Sequence, residues 1–204
     1  MSRILALTSS AVAGASVSNE LVKTAIAKLT AADPSATVVE RDLATDPLPH
    51  LTQDGVAALR GEPATPAQVA IRQLSDTLVE ELKAADVIII GAPMYNFGIP
   101  TTLKAWFDHV LRAGVTFSYT ETGPKGLVTG KRAIVIETRG GLYSEGPAMI
   151  MDSQEPHLRG MLGFIGISDV TFVRAEKLGF GPEARDAAVA AATAQLADLA
   201  AKAA

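Results

Sequence analysis

The sequence predicts an α/β protein built on a doubly wound, five-stranded parallel sheet with helices on both faces. Two observations carry that expectation. Five short apolar runs are separated by segments whose apolar residues recur at i, i+3/i+4 and i+7/i+8, so strands and helices alternate along the chain. The central runs, Val87-Ile88-Ile89-Ile90 and Ala133-Ile134-Val135-Ile136, are apolar at every position, as strands covered on both faces must be. At 204 residues, 48% hydrophobic and 20% charged, the chain can bury a full core as one domain spanning 1–204.

The elements follow in order. A first strand is expected over 4–8, then a helix over 19–29 with Leu21, Val22, Ala25, Ile26 and Leu29 on one stripe. A second strand covers 36–42, and Val69, Leu74, Leu78 and Leu82 mark a helix over 66–84. The third strand, 87–91, leads to a helix over 101–112. Strand four covers 132–137, a helix ends at Gly166, strand five covers 170–174, and an alanine-rich helix with proline at its start runs over 182–203. Two stretches exceed what short connections need. Residues 43–65 are rich in proline and glycine and are read as an irregular excursion. In the second, over 113–130, Val115, Phe117 and Tyr119 alternate with Thr116, Ser118 and Thr120 before Gly123-Pro124 turns the chain, which predicts a hairpin.

Composition removes several function classes. Net charge is −4, and the 18 Lys and Arg form no cluster, which argues against nucleic acid as the partner. With no cysteine, disulfides, thiolate catalysis and Cys-based metal sites are excluded. His50, His109 and His157 have no metal-ligand spacing, and His109 is expected on the polar side of its helix. No segment reads as a signal peptide or spanning helix, so a cytoplasmic location away from membranes is expected.

The chemistry is expected at three loops, each leaving the carboxyl end of a strand, where open α/β sheets bind ligands. The first, residues 9–19, has four serines ahead of a helix start, with Ser18 or Asn19 as the expected N-cap. Hydroxyls, backbone N–H groups and a helix dipole suit an anion, and the absence of Lys and Arg fits a phosphate monoester held by neutral donors. The same serines would also serve an ordinary capped turn. Neither G-x-G-x-x-G nor G-x-x-x-x-G-K-[ST] is present, which disfavours a dinucleotide fingerprint or triphosphate hydrolysis. The second loop, Met94-Tyr95-Asn96-Phe97, sets flat rings beside an amide and reads as one wall of a flavin site rather than a packing loop. The third, Thr138-Arg139-Gly140-Gly141, has paired glycines whose N–H groups can approach the pyrimidine edge of a flavin, or can simply make a turn.

With those residues in view, the chain resembles the FMN-dependent NADH-azoreductases of the flavodoxin-like quinone reductase group. The likeness covers nearly the whole sequence and is densest over 92–100, 112–117, 126–131, 139–141 and 162–166. It implies a flavodoxin-like fold in which Ser10, Ser16, Val17 and Ser18 hold the FMN phosphate. Met94, Tyr95, Asn96, Phe97, Thr138, Arg139, Gly140 and Gly141 would line the isoalloxazine, with Asn96 near N5. The family often has Ser where this chain has Thr138, and the hydroxyl is kept. The resemblance further implies a homodimer with one FMN per subunit, reduced by NADH or NADPH and oxidised by quinones or azo dyes. The expected kinetics are ping-pong, with azo cleavage to aromatic amines taking two cycles, and no side chain is assigned as catalytic. It also favours Phe117 and Tyr119 as borders of the substrate pocket, partly from the neighbouring subunit; the alternative for both is packing within the hairpin.

The remaining features read as structural. Trp106 shares a stripe with Leu103, Phe107, Val110 and Leu111, as core or subunit contact, and Glu80, Glu81, Lys83 and Asp86 read as a solvated face. Two rivals share the fold. An electron carrier needs an exposed flavin edge, which the two long excursions argue against, and a non-enzymatic binding module would refuse FMN.

Overall fold

The computed structural model describes residues 1–12 and 14–202. Ala13 of the first loop and Ala203 of the expected last helix lie outside the described residues. Five strands, β1 (Arg3–Thr8), β2 (Thr37–Asp42), β3 (Val87–Pro93), β6 (Arg132–Thr138) and β7 (Asp169–Ala175), form one parallel sheet in the order β2-β1-β3-β6-β7. The chain reverses its direction of winding between β1 and β3, which opens a crevice above the sheet there.

Two layers of core follow from the period-2 geometry of the strands. Leu5, Leu7, Ile88, Ile90, Ala133 and Val135 face one way, onto α3 (Pro66–Ala84), α4 (Thr101–Val110) and α5 (Glu155–Phe164). Ile4, Ala6, Ile89, Ile134 and Ile136 face the other way, onto α1 (Val17–Ala32) and α6 (Pro182–Ala201). The central strands therefore have no polar face. The Trp106 stripe lies in the first layer, with Trp106, Phe107 and Leu103 fully buried.

The structure departs from the sequence expectation in three places. Residues 43–65 contain a helix, α2 (Gln53–Arg60), capped by Thr52 through its Oγ1 and the Gly55 N–H at 3.2 Å. At its other end Arg72 of α3 donates from Nε to the Ala58 carbonyl (2.7 Å) and from Nη2 to the Gly61 carbonyl (2.5 Å). Eight residues, one of them glycine, give too weak a helical period to stand out, and the helix is held by that distant arginine. His109 is not on a polar face: it is 2% exposed, and its Nε2–H donates to the Pro49 carbonyl at 3.0 Å. The excursion folds over that side of α4, which helix periodicity cannot register. Of the expected solvated face, Glu81 pairs with Arg41 of β2 at 2.5 and 2.7 Å, and Asp86 accepts from the Arg3 N–H at 2.9 Å.

The expected hairpin is present as β4 (Phe117–Thr120) and β5 (Gly123–Gly126), antiparallel. It docks on the end of α5, where a Cβ on Gly126 would lie 2.2 Å from the Gly166 nitrogen, so only glycine permits the approach. A 3-10 segment (Pro147–Met151) precedes α5.

Candidate active site

Because β1, β3 and β6 are neighbours in the sheet, the loops at their carboxyl ends stand side by side above the crevice. The first is tied down by Ser9, whose Oγ donates to the Gly91 carbonyl of β3 at 2.7 Å. Ser16, not Ser18 or Asn19, is the N-cap of α1: its Oγ accepts from the Asn19 N–H at 3.2 Å. The Ser16 and Ser18 hydroxyls lie 3.0 Å apart and both are buried, as is Ser10. Among the described residues the N–H groups of Val17 and Ser18 find no carbonyl acceptor, and this end carries the positive end of the helix dipole.

Tyr95 joins the second loop to the first. Its hydroxyl accepts from the Ala11 N–H at 3.0 Å and lies 3.2 Å from the Ser10 Oγ. The loop is closed by reciprocal backbone bonds between Tyr95 and Gly98 at 3.0 and 3.1 Å. Between them Asn96 (φ 49°) and Phe97 (φ 71°) take left-handed conformations, each at a cost of roughly 1–3 kcal/mol for a non-glycine residue. The consequence is that Asn96 and the Phe97 ring face outward, Phe97 38% exposed, while Met94 and Tyr95 are half-buried. The Tyr143 ring meets Phe97 edge-on, with centroids 6.0 Å apart.

The third loop is bound to the second through the Met94 N–H and the Thr138 carbonyl (2.9 Å). Gly140 is exposed, and a Cβ on Gly141 would press on the Tyr143 ring at 2.9 Å. Among the described residues the N–H groups of Gly140 and Gly141 find no acceptor within the chain. Their carbonyls accept from Gly179 and Lys177, which fixes the loop while leaving those donors available.

Arg139 is the exception to the sequence expectation, because its side chain does not line the crevice. It is 0% exposed and points beneath the loop, where Nη2 meets Glu137 Oε2 (2.7 Å) and Asp152 Oδ2 (3.0 Å) and Nη1 meets Glu176 Oε1 (3.2 Å). Burial opposes its charge, but those carboxylates outweigh burial and keep it protonated. Glu137 is equally buried, and among the described residues one of its oxygens has no hydrogen-bond partner; burial pushes its carboxyl up to about 8, against the pull of Arg139. Burial also raises Glu176, yet bonds from Ser144 Oγ, the Tyr143 N–H and Arg139 turn the balance and hold it below its ordinary range. An isolated arginine in a glycine loop reads as a ligand contact; only the fold shows the Glu137, Asp152 and Glu176 carboxyl groups and the Gln154 amide waiting below it.

Phe117 and Tyr119 are not beside these loops within one chain. Phe117 packs on Phe164 (centroids 4.5 Å) and on Tyr119 (5.6 Å), which is the hairpin-packing alternative. Both also line a separate cleft of about 490 Å³ with Leu51, Val56, Leu111 and Phe164, where Tyr119 is 74% exposed. The α2 side of that cleft was not visible in the sequence. Also missed was the turn Asp152-Ser153-Gln154, which bonds to both the second and third loops; its polar residues just before Glu155-Pro156 gave only the signal of a helix start.

A family model for the flavodoxin-like fold matches residues 2–200. An FMN-dependent NADH:quinone oxidoreductase of Hyphomonas neptunium is 56% identical, covering 98% of this chain and 96% of its own. FMN-dependent NADH:quinone oxidoreductase 2 of Pseudomonas fluorescens is 50% identical, covering 98% of this chain and all (100%) of its own. Among solved structures, an azoreductase from Bacillus anthracis superposes with a TM-score of 0.90 at 30% identity, covering 99% of this chain and 100% of that one. The chain belongs to the flavodoxin-like fold family and, within it, to the oxidoreductase family of the FMN-dependent NADH:quinone oxidoreductases.

Proposed function

We propose that this chain binds one FMN per subunit across the three loops, takes electrons from NADH or NADPH, and passes them to quinones and to azo compounds, which it cleaves to amines. The observation that carries the reading is the Tyr95 hydroxyl bonded to Ser10 and Ala11, because it fuses a phosphate-type cradle and an aromatic wall into one site. The residues fit the cofactor. The start of α1 offers buried hydroxyls and, among the described residues, amides without a carbonyl acceptor, which suit a phosphate monoester, and the outward Phe97 ring, Asn96 amide and Gly140-Gly141 donors suit a flat heteroaromatic ring. The names of relatives at 50–56% identity support the same cofactor and acceptor class.

FMN, when bound, supplies the two-electron chemistry that no side chain here can perform. Ser10, Ser16, Ser18 and the Val17 and Ser18 amides would hold the phosphate. Met94, Tyr95, Asn96 and Phe97 would form one wall of the ring site; Thr138, Gly140 and Gly141 would form the other, and their amides would favour negative charge on the pyrimidine edge. Arg139 acts from beneath by holding that loop. With one ring site between Met94–Phe97 and Thr138–Gly141, donor and acceptor would occupy it in turn, which favours ping-pong turnover with two cycles for each azo bond. Protons come from solvent.

The cleft beside Tyr119, which sets Leu51, Val56 and Leu111 among Arg60, Asp108 and Arg112, is the surface of a second copy, and the homodimer completes the acceptor cavity with that hairpin. The cytoplasm, where reduced nicotinamide nucleotides are made, is the compartment this activity needs. Steady-state rates with NADH and NADPH against a quinone and an azo dye test the function. An FMN-loaded protein that turns over neither acceptor would leave only the electron-carrier alternative, and a protein that refuses FMN would refute the reading altogether.

A further inference from the structure

Gln154 lies outside all three loops, in the turn before α5, and its side chain is completely buried. Its amide is spent twice. Nε2 donates to the Ala92 carbonyl near the end of β3 (2.7 Å), and Oε1 accepts from Arg139 Nε at the start of the third loop (2.9 Å). The neighbouring residue works in the same direction: the Ser153 N–H and Oγ both donate to the Phe97 carbonyl, at 3.0 and 2.8 Å. Asp152 takes Arg139 Nη2 and, through Oδ1, accepts from the Gln154 N–H at 2.9 Å. One short turn therefore grips the second loop at its root and at its strained tip, and the third loop through the buried guanidinium.

We propose that Gln154 is a positioning residue that locks the loop after β3 to the loop after β6, so that the aromatic wall and the glycine amides of the ring site hold one spacing. This rests on the cofactor reading above. The side-chain type fits the task. A neutral amide can donate to Ala92 and accept from Arg139 at once, whereas a carboxylate would offer two acceptors beside an arginine already shared by Glu137, Asp152 and Glu176. Phe97, in a left-handed conformation that a free chain would leave, needs the adjacent Ser153 bonds to stay there.

The test is Gln154→Met, which keeps the bulk and loses both bonds, read by amide hydrogen exchange on the flavin-free protein. Exchange should accelerate together in segments 94–98 and 139–144 and stay unchanged at the start of α1. Affinity for riboflavin should fall about tenfold and that for FMN by at least the same factor, because segment 94–98 is loosened while the start of α1 is not. Acceleration in one loop alone, in neither, or a loss confined to FMN would overturn the proposal. If Gln154→Met does not fold, Gln154→Asn replaces it: one methylene shorter, its amide cannot span both partners, and the same paired acceleration is required. A wild-type protein that binds neither flavin would sink the cofactor reading, while the exchange pattern would still decide whether Gln154 couples the loops.

Discussion

Ser16 has two jobs that one pair of substitutions can separate. It caps α1 through the Asn19 N–H, and in the proposed complex it holds the phosphate. Ser16→Ala loses the cap, about 1 kcal/mol of stability, or roughly 2–4 °C in melting temperature for a chain this size. It also loses one hydrogen bond to a charged group, about 1.5–3 kcal/mol of FMN affinity. Ser16→Asp behaves differently, because aspartate caps as well as serine and its charge gains about 0.3–1 kcal/mol at a helix N-terminus. The flavin-free Asp variant should melt no lower than wild type. Yet it sets a negative charge against the phosphate, and at roughly 4 Å with an effective dielectric near 20 each unit-charge pair repels by about 4 kcal/mol. Screening by half still leaves about 2 kcal/mol, near a thirtyfold loss, on top of the lost donor. Titration of the flavin-free protein by fluorescence quenching, with FMN and with riboflavin, reads this directly. Aspartate should cost far more FMN affinity than alanine and leave riboflavin nearly unaffected. Equal losses for both ligands, or equal losses for the two variants, would show that Ser16 acts through folding and not on the phosphate.

The remaining expectations test other parts of the molecule. Folded Glu137 stays protonated up to about pH 8 while its unfolded form ionises near 4.5, so the unfolded chain binds fewer protons in between and this group loses stability as pH rises from 4.5 to 8. Glu137→Gln should therefore gain on wild type, by a few kcal/mol at most, as denaturation midpoints are compared from pH 5 to pH 8; a pH-independent difference would contradict the assignment. Tyr95→Phe breaks the bonds to Ser10 and Ala11 and should weaken FMN by several-fold to tenfold in the same titration, with unchanged affinity ruling out the bridge. Double-reciprocal plots should be parallel, and intersecting lines would reject ping-pong turnover; thiol-alkylating reagents should leave activity intact, since there is no cysteine. Tyr119→Glu should shift sedimentation from dimer to monomer and lower turnover together, and a fully active monomer would refute the shared cavity.

The alternation of strands and helices, the two-sided burial of the central strands and the hairpin were all legible in the sequence, because each rests on a period of 2 or 3.6 within a few neighbouring residues. The loop residues Ser10, Tyr95 and Gly140-Gly141 could be placed at strand ends for the same local reason. Tertiary structure alone decided what those loops share. The order β2-β1-β3-β6-β7 puts three of them side by side, and the Tyr95–Ala11 and Gln154–Ala92 bonds join residues 84 and 62 positions apart. No periodicity extends over such distances. For the same reason Arg139 turned inward to carboxylates from three separate stretches of chain, and His109 was buried under Pro49, 60 residues away. Helix α2 escaped notice because a short, glycine-containing helix is stabilised by a capping arginine from α3 rather than by its own pattern. Local propensity settles which segments are regular; where a polar or charged side chain finds its partner is settled only when the sheet brings distant segments together.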